Sequence, residues 1–371
     1  MIGRLIAGVA LLSLSSCGVD ERPSHAAGPV APAPAYVVAI PVPKPTPLPV
    51  NRAPRALEAS ISQLVREFPG IAGVAVRAVD EGWTVEAGGR RPLPQQSVSK
   101  LWVAMTVLDQ RDAGRLRLDD AVTLTPSDLT VFHQPIAYLV KNGVWNTTVG
   151  DLLHRALTQS DNTANDRLLT LVGGPSAVRA FIERKQLGDI RFGPGERMLQ
   201  AKTAGLTWDQ SMSVGNTFSI MRARLDPAVR QAALQAYIDN PPDGAAPLAI
   251  ADALARLARG ELLSETSTRL LISTMESSRT GRARLRAGAA PGWTLAHKTG
   301  TGQELGRRNA GFNDVGLLTS PEGRRYAVAV MIGDTQRPMR DRQQLIQAVA
   351  ATVTGYRGPA IASREADEPE S

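Results

Sequence analysis

The apolar positions along this chain change period twice. Leu57, Ile61, Leu64, Val65 and Phe68 recur at helical spacing, and Pro69-Gly70 ends the run. Ile71–Val79 and Trp83–Ala87 then read as two short strands around Asp80-Glu81-Gly82, a hairpin pattern. Helical spacing dominates the middle of the chain, in Leu101–Asp112, Val149–Gln159, Asp166–Val172, Pro175–Lys185 and Pro247–Gly260. Strand character returns in Thr294–Thr301, Phe312–Thr319 and Arg325–Ile332, with Pro321-Glu322-Gly323 turning the last two, and a closing helix runs from about Arg340 to Val353. An isolated hairpin is marginal in water, so the strands at the two ends of the chain must meet in one sheet. The pattern predicts an α+β fold in three α/β/α layers. Five antiparallel strands are flanked by the terminal helices, an all-helical subdomain packs beside them, and a cleft lies between the two.

Residues 1–54 stand apart from this pattern. Arg4 and the apolar run Leu5–Leu14 read as a targeting segment, too short for a permanent membrane span. It ends in Leu14-Ser15-Ser16-Cys17, which resembles the lipobox of bacterial lipoproteins. That resemblance implies cleavage before a lipidated Cys17 and a domain held on the periplasmic face of a membrane. Gly18 in place of Asp favours the outer membrane. Residues 18–54, with Pro41-Val42-Pro43-Lys44-Pro45-Thr46-Pro47, form a Pro/Ala-rich tether. The catalytic domain is expected over 55–357, and a polar, disordered tail over 358–371.

Composition adds mostly exclusions. The chain has 371 residues and is 43% hydrophobic, enough for a large core. The net charge is +7, but Arg is scattered and no basic block is interleaved with aromatics, so no nucleic-acid partner is expected. Cys17 is the single cysteine, and the histidines at 25, 133, 154 and 297 are dispersed. No disulfide, metal or cofactor is implied, and a monomer is expected.

Three short motifs carry the chemistry. In Ser97-Val98-Ser99-Lys100, residues three apart share a helix face, so Ser97 and Lys100 can touch. A serine hydroxyl is a weak nucleophile until a base takes its proton, and a desolvated lysine can serve. The helix start also provides free N–H groups. In Ser160-Asp161-Asn162, the serine can relay a proton and the amide can hold a carbonyl, although all three residue types also suit a helix end and cap. Lys298-Thr299-Gly300-Thr301 closes a strand. Its cation suits a substrate carboxylate and its glycine admits a ligand close to the backbone, or it is merely an edge strand with an exposed lysine.

In this order, with Ser160 63 positions after Ser97, the motifs resemble those of penicillin-recognising serine enzymes, and residues 55–357 resemble a class A β-lactamase. Gln159–Leu168, Gly260-Glu261-Leu262-Leu263 and Pro291-Gly292-Trp293 add to the likeness. The resemblance implies Ser97 as acylated nucleophile, Lys100 as its proton partner and Ser160 as donor to the leaving nitrogen. It implies Asn162 on the substrate amide, Lys298 and Thr299 on the carboxylate, and an oxyanion hole from the N–H groups of Ser97 and Thr301. Glu196 in Glu196-Arg197-Met198-Leu199-Gln200, 36 positions after Ser160, resembles the omega-loop glutamate that activates the deacylating water. Gln200 replaces the usual Asn, and Pro194 stands where a bracing polar residue is common.

The 43 residues Ala201–Asp243 are longer than the family usually has here. Met212–Leu225 and Pro227–Tyr237 predict an added helical pair beside the omega loop. Arg307, Arg308 and Arg342 are candidates for the cleft arginine. The expected substrate is a β-lactam. The alternatives are a D,D-peptidase acting on peptidoglycan peptides, for which Glu196 is not needed, and an inactive cell-wall-binding lipoprotein. Class C enzymes need Tyr-x-Asn, which is absent from the sequence.

Overall fold

The computed structural model describes residues 52–140 and 143–356. Cys17 with its targeting segment, residues 18–51 of the tether and the tail 358–371 lie outside the described residues.

The main sheet comprises β1 (Ile71–Ala78), β2 (Thr84–Ala87), β3 (Thr294–Thr301), β4 (Phe312–Thr319) and β5 (Arg325–Asp334). Its order is β2-β1-β5-β4-β3, antiparallel throughout. The two ends of the chain meet where β1 pairs with β5, with Val74 opposite Val330 and Val76 opposite Val328. Side chains alternate across a strand, so each strand supplies both faces. Val74, Val76, Val328, Val330 and Ile332 pack with Leu57 and Ile61 of the first helix, Arg55–Glu67, and with Leu345, Ile346 and Val349 of the last, Met339–Gly355. Ala75, Ala327, Ala329 and Met331 face the other way, into a larger core that includes Leu254 of helix Pro247–Ala258.

That larger core also fills the helical subdomain. Its centre is helix Lys100–Asp112, in which every residue from Lys100 to Leu108 is buried. A helix apolar on all sides must lie inside a protein. Helices Val149–Thr158, Asn162–Leu171, Gly174–Arg184 and Glu265–Glu276 surround it.

Two elements differ from the sequence pattern. The expected helix Asp166–Val172 begins four residues earlier, because the Asp161 carboxylate accepts from Ala164 N at 2.9 Å and caps it. The expected Met212–Leu225 helix is divided into a 3₁₀ turn, Gln210–Ser213, and a helix, Thr217–Arg224, because Gly215 takes a left-handed φ of 54°. The second inserted helix is Pro227–Asp239, close to expectation.

Replacing fully buried Ile346 on the terminal helix removes packing between helix and sheet. Ile346→Ala should cost about 2–5 kcal/mol in urea unfolding. Exposed Val214→Ala should stay within about 0.5 kcal/mol.

Candidate active site

A cleft of about 410 Å³ opens between the sheet edge and the helical subdomain, lined by Ser97, Ser160, Asn162, Arg284, Thr299 and Thr301, with Phe132, His133 and Gln200 beside them. Ser97 lies in a 3₁₀ turn, Gln96–Ser99, that leads into helix Lys100–Asp112. The turn is tied down on several sides. Asn313 Nδ2 donates to Pro94 O and Gln95 O at 2.8 and 3.0 Å, and Gln96 N donates to Asp243 Oδ2 at 2.8 Å. Gly300 contributes by having no side chain: a Cβ there would lie 2.3 Å from Gln95 O. Its missing side chain lets the nucleophile's own turn pack on β3.

Lys100 is buried, and its ammonium donates to Ser97 Oγ at 2.9 Å, to Asn162 Oδ1 at 2.9 Å and to Glu196 Oε1. An ammonium has three donors, and all three are engaged. Asn162 is itself held by donating from Nδ2 to Val131 O at 2.9 Å. Ser97, Lys100, Asn162 and Glu196 are therefore one connected group.

Ser160 and Lys298 form a second group. Lys298 Nζ donates to Ser160 Oγ at 2.8 Å and to Thr299 O at 2.9 Å. β3 is an edge strand, as its motif allowed, but Lys298 is wholly buried rather than exposed. Burial, and then the nearby charge of Lys100, hold its pKa well below the usual lysine range. Ser160 adopts a left-handed φ of 59° between two helices, an uncommon conformation for serine. Asp161 turns away to cap its helix and to accept from Ile136 N at 2.6 Å, so within the second motif it is Ser160 and Asn162 that face the cleft.

Glu196 starts helix Glu196–Thr203, after Gly195 at φ 98°. Its position depends on Asp166, whose Oδ1 accepts from Glu196 N at 2.9 Å and whose Oδ2 accepts from Arg197 N at 3.2 Å. Burial and then the charge of Glu196 push the Asp166 carboxyl up to about 6. Gln200 Nε2 donates to Glu196 Oε2 at 3.3 Å and to Gln96 Oε1 at 3.0 Å, so the Asn-to-Gln departure still contacts the glutamate.

The cleft arginine is Arg284. Its guanidinium donates to Gly300 O (2.9 Å), Asn313 O (2.6 Å) and Thr301 Oγ1 (2.5 Å) and stacks 3.8 Å over Phe312. Burial lowers its pKa to about 10. The three sequence candidates lie elsewhere: Arg307 is exposed, Arg308 pairs with Asp334, and Arg342 pairs with Glu304. No motif surrounds Arg284, and its contacts come from β3 and β4, so nothing local marked it. Asp166 was missed for the same reason. No group of three or more His, Cys, Asp or Glu among the described residues is placed to hold a metal ion.

The sequence pattern of the beta-lactamase enzyme family matches residues 56–356. The extended-spectrum beta-lactamase PER-1 of Pseudomonas aeruginosa is 30% identical over 80% of this chain and 85% of its own length. Beta-lactamase Toho-1 of Escherichia coli is 30% identical over 70% of this chain and 75% of its own. Among solved structures, a beta-lactamase from Chitinophaga pinensis DSM 2588 superposes with a TM-score of 0.66 at 25% identity, covering 81% of this chain and 98% of that one. TLA-3 extended-spectrum beta-lactamase does so with a TM-score of 0.67 at 23% identity, covering 82% and 99%. The family pattern spans the whole catalytic domain, and the chain belongs to the beta-lactamase enzyme family.

Proposed function

We propose that this protein hydrolyses β-lactams through a covalent acyl-serine at Ser97. The observation that carries this is the buried Lys100 ammonium, which contacts the Ser97 hydroxyl and the Glu196 carboxylate at once. In acylation a bond forms from Ser97 Oγ to the lactam carbonyl carbon. The Oγ proton passes to the Lys100–Glu196 pair as the bond forms. The lactam C–N bond breaks, and the nitrogen takes a proton from Ser160, which regains one from Lys298; solvent takes the proton held by the Lys100–Glu196 pair and restores that of Lys298, so Glu196 enters deacylation as a carboxylate. The N–H groups of Ser97 and Thr301 would face the developing oxyanion. Thr299, Thr301 and Arg284 present two hydroxyls and a cation for the substrate carboxylate.

In deacylation Glu196 takes a proton from water, the water oxygen bonds to the acyl carbon, and the Oγ–C bond breaks with return of the proton to Ser97. A carboxylate this close to the nucleophile's lysine favours hydrolysis over the peptidase reading, in which an acyl-enzyme persists. The relatives' names point the same way: PER-1 is an extended-spectrum beta-lactamase. We further infer that Cys17 carries the lipid anchor implied by Leu14-Ser15-Ser16-Cys17, with the domain on the periplasmic face. Multiple acyl chains on one residue would hold firmly.

Ser97→Ala should abolish the acyl adduct seen by intact mass spectrometry with a penicillin, while thermal melting stays near wild type. An adduct surviving in the variant would put the nucleophile elsewhere. Glu196→Gln leaves Lys100 alone as the acceptor of the Ser97 proton and should still acylate, but it should release product about 10²–10⁴-fold more slowly, giving a burst with a chromogenic cephalosporin. Wild-type turnover in that variant would assign the water to another base. Cys17→Ala should shift the protein from the membrane to the soluble fraction of expressing cells, and equal membrane association of both forms would count against the anchor.

A further inference from the structure

The inserted segment does not simply lie on the surface. Its second helix, Pro227–Asp239, packs Leu234, Tyr237 and Ile238 against Leu199 of the helix that carries Glu196. Tyr237 is buried, and its hydroxyl reaches beneath the nucleophile's turn. It donates to Asp243 Oδ2 at 3.1 Å and accepts from Gln96 Nε2 at 2.7 Å. Gln96 is the residue before Ser97, and its backbone takes a left-handed φ of 54°.

These contacts have a direction. A phenol that gives its single proton to a carboxylate can only accept from its other neighbour. Gln96 must then turn its NH₂ to Tyr237, which leaves its carbonyl oxygen facing Gln200. Gln200 in turn presents its NH₂ to Gln96 Oε1 at 3.0 Å and to Glu196 Oε2 at 3.3 Å. Gln303 Nε2, donating to Gln200 Oε1 at 3.0 Å, sets the Gln200 amide the same way. Each amide donates at one end and accepts at the other, so the Asp243 carboxylate orients a chain that ends on the free oxygen of Glu196. The other Glu196 oxygen is held by Lys100.

We propose that Tyr237, supplied by the inserted helix, is a positioning residue for deacylation: through Gln96 and Gln200 it fixes the Glu196 carboxylate for its water. The proposal rests on the acyl-serine reading above and deepens it, giving Ala201–Asp243 a role in the second chemical step. Without the phenol oxygen, the Gln96 NH₂ keeps only its longer contact to Ala310 O at 3.3 Å. Gln200 then faces an amide less firmly held, and one hydrogen bond on Glu196 is weakened. Acylation, which needs Ser97 and Lys100, keeps its contacts.

The test measures acylation and deacylation separately by stopped-flow with a chromogenic cephalosporin, alongside intact mass spectrometry. It uses wild type, Glu196→Gln, Tyr237→Phe, Asp243→Asn and Leu234→Ala. Phenylalanine keeps the packing and removes only the hydroxyl; asparagine keeps the shape of Asp243 and removes the carboxylate that orients the phenol. Tyr237→Phe should deacylate about tenfold more slowly, with acylation within about twofold of wild type, so that the acyl-enzyme accumulates; Asp243→Asn, which also weakens the hold on Gln96 N, should slow deacylation at least as much. Leu234→Ala loosens the same packing without touching the chain. It should melt earlier yet keep the wild-type ratio of the two rates. The proposal is overturned if Tyr237→Phe keeps the wild-type ratio, or if it slows both steps equally, since the hydroxyl would then support the Ser97 turn alone. If Glu196→Gln itself releases product like wild type, the underlying assignment of the base fails. That failure is distinguishable and removes the proposal with it.

Discussion

The structure turns on one buried cation. An ammonium away from water is expensive unless every proton has an acceptor, and the three acceptors of Lys100 come from three separate stretches of chain: Ser97, Asn162 and Glu196. Two of them need further support of their own. Asn162 is fixed by the carbonyl of Val131, and Glu196 by the carboxylate of Asp166, about one helical turn beyond Asn162. Removing one partner of a buried ion pair leaves the other uncompensated, at a cost of about 3–5 kcal/mol, so these pieces are mutually dependent. The same contacts that stabilise the charge bring nucleophile, proton acceptor and substrate-binding amide to one point.

Lys298 obeys the same constraint with a different outcome. It too is buried, but its partners are a hydroxyl and a carbonyl rather than a carboxylate. Burial and the neighbouring charge therefore depress its pKa. A lysine whose proton is loosely held, bonded to Ser160, suits delivery of a proton to a leaving nitrogen. Of the two lysines of this cleft, Lys100 has a carboxylate among its hydrogen-bond partners and Lys298 does not.

The inserted segment joins both walls of this cleft. Phe218 packs edge-on against Phe132 at 4.7 Å on one side, and Tyr237 reaches under Gln96 on the other. Backbone strain is concentrated nearby. Gln96, Phe132 and Ser160 hold left-handed backbone despite having side chains, and all three lie in or beside the site. Such conformations persist only where surrounding contacts over-determine them, and the dense hydrogen bonding about Gln96 is an instance.

The hydrophobic pattern by itself determined the fold class and the meeting of the two chain ends, because burial must match a period of two or of 3.6 wherever one face is dry. The residues of the three motifs were legible too, since each motif is a short contiguous run in the sequence. Tertiary structure decided what no local pattern could. Arg284 takes its contacts from β3 and β4, Asp166 positions a loop 30 residues away, and Tyr237 acts on Gln96 across 141 residues. It also decided the packing at Gly300, whose missing Cβ admits Gln95 O. A hydrogen bond forms between whichever donor and acceptor the packed chain brings within reach, and sequence spacing carries that information only inside a single helix or strand.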